Sequence, residues 1–153
     1  MRKLTLAATI VVLTSSQMAA AQTGLGPLSI LVEELPPEAA TCGISQAGIT
    51  SALRAAMRYN RVEEDRSGSL AATDIYVNVN TLMAGTLCVS SVNLSIRKHG
   101  IDSPPGLGPH LVRNVFCDDG TLLTGGNHGP RVSEVIKNVF ERCLSSLADR
   151  ALN

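Results

Sequence analysis

Three histidines, His99, His110 and His128, and four cysteines, Cys42, Cys88, Cys117 and Cys143, are the side chains in this 153-residue chain best suited to metal or redox chemistry. No two histidines stand four apart as on one helix face, and none has a cysteine at ligand spacing. All three fall in or beside stretches rich in glycine and proline. They read as solvent-facing loop residues; two loops meeting at one end of a sheet would instead gather them on a metal. Asp118-Asp119 offers two carboxylates, but neighbours on a strand point to opposite faces, and Asp119-Gly120 reads better as a turn. Gly125-Gly126-Asn127-His128-Gly129 precedes a helical pattern whose first N–H groups could hold an anion. It lacks the lysine and hydroxyl of a phosphate loop, so a loop and helix cap is the plainer reading. No G-x-S-x-G elbow appears, and the sequon Asn93-Leu94-Ser95 falls inside a strand pattern. These residues specify neither a catalytic set nor a cofactor.

The cysteines lead to the compartment. An even count in an exported chain reads as two disulfides, and the alternative, a four-thiolate zinc site, wants close pairs that are absent here. Export is predicted independently. Met1-Arg2-Lys3 form a basic start, Leu4 to Leu13 are apolar apart from Thr5 and Thr9, and Ala19-Ala20-Ala21 precede Gln22. That is a signal peptide over residues 1–21, too short in its apolar run for a bilayer span of roughly 20 residues. Glutamine at the cut, with the first cysteine only at position 42, predicts a product without a lipid anchor, soluble in the periplasm.

Removing 21 residues from 153 leaves 132, enough for one core. Arg2 and Lys3 leave with the leader, so 13 basic residues become 11 against 13 acidic. This balance argues against nucleic acid, which needs surplus cations, and against a basic membrane-surface module. With no tryptophan and only Tyr59, Tyr76, Phe116 and Phe140 aromatic, a stacking platform for sugars or bases is not expected.

The elements that must position these residues follow from periodicity. Residues 22–27 read as a lead-in, 28–149 as one α/β domain and 150–153 as a tail. Leu28 to Leu35 suit a strand stopped by Pro36-Pro37. Ser45 is placed to cap a helix, with Ile44 and Ile49 at staple positions, and Ile49, Ala52, Leu53, Ala56 and Met57 on one face. Tyr59 to Glu63 read as a short second strand. Thr73 to Leu82 alternate, with Ile75, Val77 and Val79 inward and Asp74, Tyr76, Asn78 and Asn80 outward. Thr86 to Lys98 alternate again, with Cys88, Val92, Leu94 and Ile96 against Ser91, Asn93, Ser95 and Arg97. His99 to Pro109 is a loop, His110 to Phe116 the next strand, and Pro130 opens a helix with an unbroken apolar stripe from Val132 to Leu147.

The expected fold is α+β: a mostly antiparallel sheet of four to five strands with two helices on one face. A hairpin loop centred near Ser103 puts Cys88 opposite Cys117, which leaves Cys42 to pair with Cys143. The outward face of the first hairpin strand is either an ordinary wet face or a partner surface of Tyr76, Asn78 and Asn80, since asparagine is disfavoured in strands.

The order strand, helix, short strand, three strands, helix, together with Arg61-Val62-Glu63-Glu64 and Asp74-Ile75-Tyr76-Val77-Asn78-Val79-Asn80, resembles the small α/β domain at the amino terminus of TolB and in the envelope proteins LpoB and CsgG. It is also similar to a group of uncharacterised exported bacterial proteins with the same Tyr-Val-Asn-Val-Asn strand. The resemblance implies an adaptor or assembly role beside another envelope protein rather than an enzyme, and carries over no functional residue. The alternative is a small exported enzyme or metal binder that uses the loops near His99, His110 and His128.

Overall fold

A computed structural model describes residues 26–69, 71–106 and 108–151. The residues expected to form a signal peptide, 1–21, and most of the expected lead-in lie outside the described residues. Seven elements follow in order: β1 (Leu28–Val32), α1 (Pro37–Thr41), α2 (Gln46–Tyr59), β2 (Thr73–Ala84), β3 (Leu87–Asp102), β4 (His110–Gly125) and α3 (Gly129–Ala151).

Helix α2 begins where its cap requires. Ser45 Oγ accepts from the Gly48 N–H at 3.1 Å, and Ile44 and Ile49 are both buried as a staple. It ends at Arg61, a non-glycine residue at φ 57°, with Arg61 N–H donating to Arg58 O and Val62 N–H to Met57 O. That pair of bonds is a Schellman cap. It takes the residues expected to form a second strand, leaving only a single bridge between Leu28 and Glu64. The sheet therefore has four strands. β1 ends at Val32, short of the expected Leu35, and Pro37 beyond it starts α1, where a first-turn proline loses no hydrogen bond.

The strands lie in the order β1-β2-β3-β4, with β1 parallel to β2 and the other neighbours antiparallel. The parallel pair needs a crossover, which α2 supplies. Alternation sends Ile75, Val77, Val79, Cys88, Val92, Leu94 and Ile96 to one face. There they pack with Leu53 and Met57 of α2 and Ile136, Val139 and Phe140 of α3 in one core. At about 25 cal/mol per Å² of apolar surface, these fully buried side chains are each worth roughly 1.5–3 kcal/mol.

The β3–β4 hairpin corrects three expectations. Residues 99–102 pair with 110–113, so the strands close only over 103–109. Asp118-Asp119-Gly120 is not a turn but the middle of β4; Gly120 is required because a Cβ there would meet Val92 O at 2.7 Å. The hairpin centre thus moves from Ser103 towards Gly106, and a bulge at Phe116 adds one more residue. Cys117 then faces Ile96, and Cys88 faces Gly125. Cys88 and Cys117 are separated by eight residues of strand, roughly 27 Å, so the expected pairing is wrong. The disulfides are Cys42–Cys88 (Cα separation 6.0 Å) and Cys117–Cys143 (5.6 Å). The first ties the start of the helical layer to β3; the second ties β4 to α3.

Helix α3 holds β4 along most of its length. Arg131 Nη1 donates to Thr124 O at 2.8 Å, Arg142 Nε to Asp119 Oδ2 at 2.7 Å, and Arg150 Nη1 to Phe116 O at 3.2 Å. The outer side of β1 is closed by Leu28 N–H to Glu63 O, Asp65 N–H to Leu28 O, and Gln46 Nε2 to Val32 O. Such covers blunt strands that would otherwise recruit another chain edge to edge. Among the described residues, what stays uncovered is the sheet face turned away from the helices.

Candidate functional site

The uncovered face is read from the register as cross-strand rows. In the middle lie Asp74 with Arg97 and Val115, then Leu31 with Tyr76, Ser95 and Asp118, then Asn78 with Asn93 and Gly120. Towards the β2–β3 turn follow Asn80 with Ser91 and Leu122, Leu82 with Val89, and Leu87. Towards the β3–β4 loop follow His99 with Arg113 and Ile101 with Leu111.

The centre is a preorganised polar and aromatic cluster. Arg97 Nε donates to Asp74 Oδ2 at 3.0 Å, and the guanidinium carbon sits 3.6 Å from the Tyr76 ring centroid. Although no helix covers them, Asp74 and Arg97 are only 8% and 7% exposed. The planar guanidinium, stacked on the ring and bonded to the carboxylate, uses the geometry that arginine favours. The Tyr76 hydroxyl and Asn78 Nδ2 both donate to Glu33 Oε2, and Asn80 Nδ2 donates to Asn78 Oδ1 at 2.6 Å. The Tyr76 bond, then the Asn78 bond, holds the Glu33 carboxyl below its ordinary range; the same Glu33 contact raises the Tyr76 hydroxyl. Asn93 Nδ2 donates to Asp118 Oδ1 at 2.9 Å.

Tyr76, Asn78 and Asn80 therefore share one face. Sequence reasoning missed Glu33 and the Asp74–Arg97 pair. The alternation had placed Asp74 and Arg97 on outward faces, and only the strand register was needed to bring them opposite each other.

Aliphatic side chains flank this centre. Of the nine large hydrophobic residues exposed among the described residues, seven lie on this face: Leu31, Leu82, Leu87, Ile101, Leu111, Val115 and Leu122. Scattered exposed leucines are ordinary; here the exposed aliphatic side chains collect on one face, at both ends of the polar centre and beside it. The carboxylates here already accept from Arg97, Tyr76, Asn78 or Asn93. The arrangement can meet a surface through a tyrosine, amides and aliphatic contacts.

The histidines are not brought together. His99 pairs with Arg113 and His110 with Asp102 on the β3–β4 ribbon. His128 is not solvent-facing, as the loop reading expected, but fully buried: its Nδ1 lies 2.8 Å from Ser90 Oγ, which lies 3.0 Å from Thr81 Oγ1. His128 Nε2 has no hydrogen-bond partner. With Nδ1–H donating to Ser90, the orphan is a bare lone pair rather than a buried N–H, the cheaper deficit. Among the described residues no group of three histidine, cysteine, aspartate or glutamate side chains could hold a metal.

The start of α3 is equally occupied. His128 N–H donates to Cys42 O and Gly129 N–H to Asn127 Oδ1, and a Cβ at Gly129 would collide with Gly43 O. Gly43, at φ 74°, and Gly129 thus form a close backbone crossing between the two helix starts. The loop and helix cap is the structure found there.

No protein-family model matches the chain, and no curated protein does. A minor lipoprotein from Acinetobacter baumannii is similar in structure, with 14% identity over 83% of this chain and 93% of that one and a TM-score of 0.36. A likeness at that score transfers neither fold nor function.

Proposed function

We propose that this chain is a non-enzymatic binding or adaptor module of the bacterial cell envelope that docks a protein partner on the uncovered face of its sheet. The observation that carries the reading is the gathering of seven exposed aliphatic side chains on that one face around Tyr76 and Arg97. Tyrosine is among the residues enriched at the energetic centre of protein interfaces. The composition supports a protein partner over nucleic acid or a charged membrane surface, for want of surplus cations. Export to the periplasm is supported by the amino-terminal pattern of residues 1–21 and by two disulfides, which persist in oxidising compartments. The likeness to the TolB, LpoB and CsgG domain belongs with the same reading.

The test uses Leu82→Glu and Leu122→Glu, both at exposed positions, with Tyr59→Glu on α2 as control. The face variants are expected to keep the parental melting temperature and lose the partner that co-purifies from the periplasmic fraction; the control keeps it. Partner retention by both face variants would overturn the reading.

A further inference from the structure

We propose that the occupant of the uncovered face is a second copy of this chain, packed sheet to sheet about a twofold axis. This inference rests on reading the face as a docking surface.

Two observations select a second copy. The first is the pattern along the strands. Ile101 and Leu111 stand at one end, Leu82, Leu87 and Leu122 towards the other, and the polar cluster of Asp74, Tyr76, Asn78 and Arg97 lies between. An apolar–polar–apolar sequence of rows is unchanged when reversed. A twofold axis lying across the strands at mid-face therefore sets apolar ends on apolar ends and the amide-rich middle on itself. Self-complementarity of this kind is what an isologous interface requires.

The second is area. The strands contribute 5, 12, 16 and 16 residues to the sheet. At ~3.4 Å rise and ~4.8 Å strand spacing they cover roughly 800 Å². A standard stable interface buries about 800 Å² per partner. One face meeting its own copy therefore supplies the contact a specific dimer needs.

Light scattering after size exclusion of the oxidised protein, expressed from the full reading frame, tests this. The expected mass is twice that of one chain across the micromolar range. Leu87→Glu and Leu122→Glu are each expected to weaken self-association at least ~10-fold, the scale of one central interface contact, with unchanged far-ultraviolet circular dichroism. A single-chain mass at all concentrations, or a dimer indifferent to all these substitutions, overturns the proposal. A single-chain mass combined with loss of a different co-purifying protein in Leu82→Glu and Leu122→Glu would overturn the dimer while leaving the docking reading standing. Neither dimer nor partner would overturn both.

Discussion

The Asp74–Arg97 pair offers the sharpest energetic test of the uncovered face. Both residues are more than nine-tenths buried and 3.0 Å apart, yet no helix covers them. At an effective dielectric of about 20, two charges at that distance attract by roughly 5–6 kcal/mol before the cost of desolvating them is subtracted. Removing one partner strands the other charge in a site built to neutralise it, which in buried pairs costs ~3–5 kcal/mol. Because this pair lies just beneath a water-facing surface, the low end applies: Asp74→Ala is expected to destabilise by about 3 kcal/mol. In urea, with an m-value near ~1.5 kcal/mol/M, the unfolding midpoint falls by about 2 M. The double variant Asp74→Leu/Arg97→Met, which removes both charges and keeps volume, should return to within ~1 kcal/mol of the parent. Urea titrations of the parent, Asp74→Leu, Arg97→Met and the double variant, followed by circular dichroism, give the coupling energy directly. A cost below ~0.5 kcal/mol with no coupling would mean that the pair behaves as an ordinary exposed ion pair, and the buried, preorganised centre would be refuted.

Ser90→Ala is expected to cost ~1–3 kcal/mol, because it leaves His128 Nδ1 and Thr81 Oγ1 without their shared hydroxyl inside the core; thermal melts check it. Non-reducing peptide mapping is expected to recover Cys42–Cys88 and Cys117–Cys143 fragments, and removing each bridge as a serine pair should cost about 4 and 3.5 kcal/mol for loops of 46 and 26 residues. Glu64 accepts from Arg54 and Arg66, and the Arg54 bond first, then the Arg66 bond, holds its carboxyl down to about 2 from 4.5. A depressed carboxylate stabilises the fold above its unfolded value and loses that contribution as pH falls from about 4.5 towards 2. The loss should be about 1 kcal/mol once screening around the exposed arginines is counted, and absent in Glu64→Gln.

Much of this fold was legible in the chain. Apolar spacing placed α2 and α3, the serine cap placed the start of α2, and strict alternation placed β2 and β3 with their correct faces. The errors came from features that break a strand on paper but not in a ladder. Gly100 and Asp102 read as loop residues, yet Ile101 between them pairs with Leu111, so the hairpin continues. That shift, with the bulge at Phe116, moved every partner along β3 and overturned the disulfide pairing. Asp119-Gly120 carries a turn signal, but the glycine answers a close approach to Val92 O instead. Arg61 takes a conformation usually left to glycine or asparagine, so the cap of α2 read as a strand.

The buried histidine left one usable sign. Ser90 lies on the inward parity of β3, between Cys88 and Val92, and Thr81 on the inward parity of β2. Two hydroxyls aimed at a core ask for a polar partner, and His128 is that partner. Glu33 gave no comparable sign, because its contact with Tyr76 and Asn78 depends on the parallel register of β1 with β2.

The central claim, that the uncovered sheet face is where another protein surface docks, is tested most directly by photo-crosslinking in living cells. A photoreactive residue is placed in turn at Ser91 or Asn93 on that face and at Lys137 or Arg58 on the helical side. The account predicts discrete crosslinked protein species from Ser91 and Asn93 alone, whether the species is the chain's own dimer or a different partner. Crosslinks confined to Lys137 and Arg58, or none from the sheet face, would contradict it.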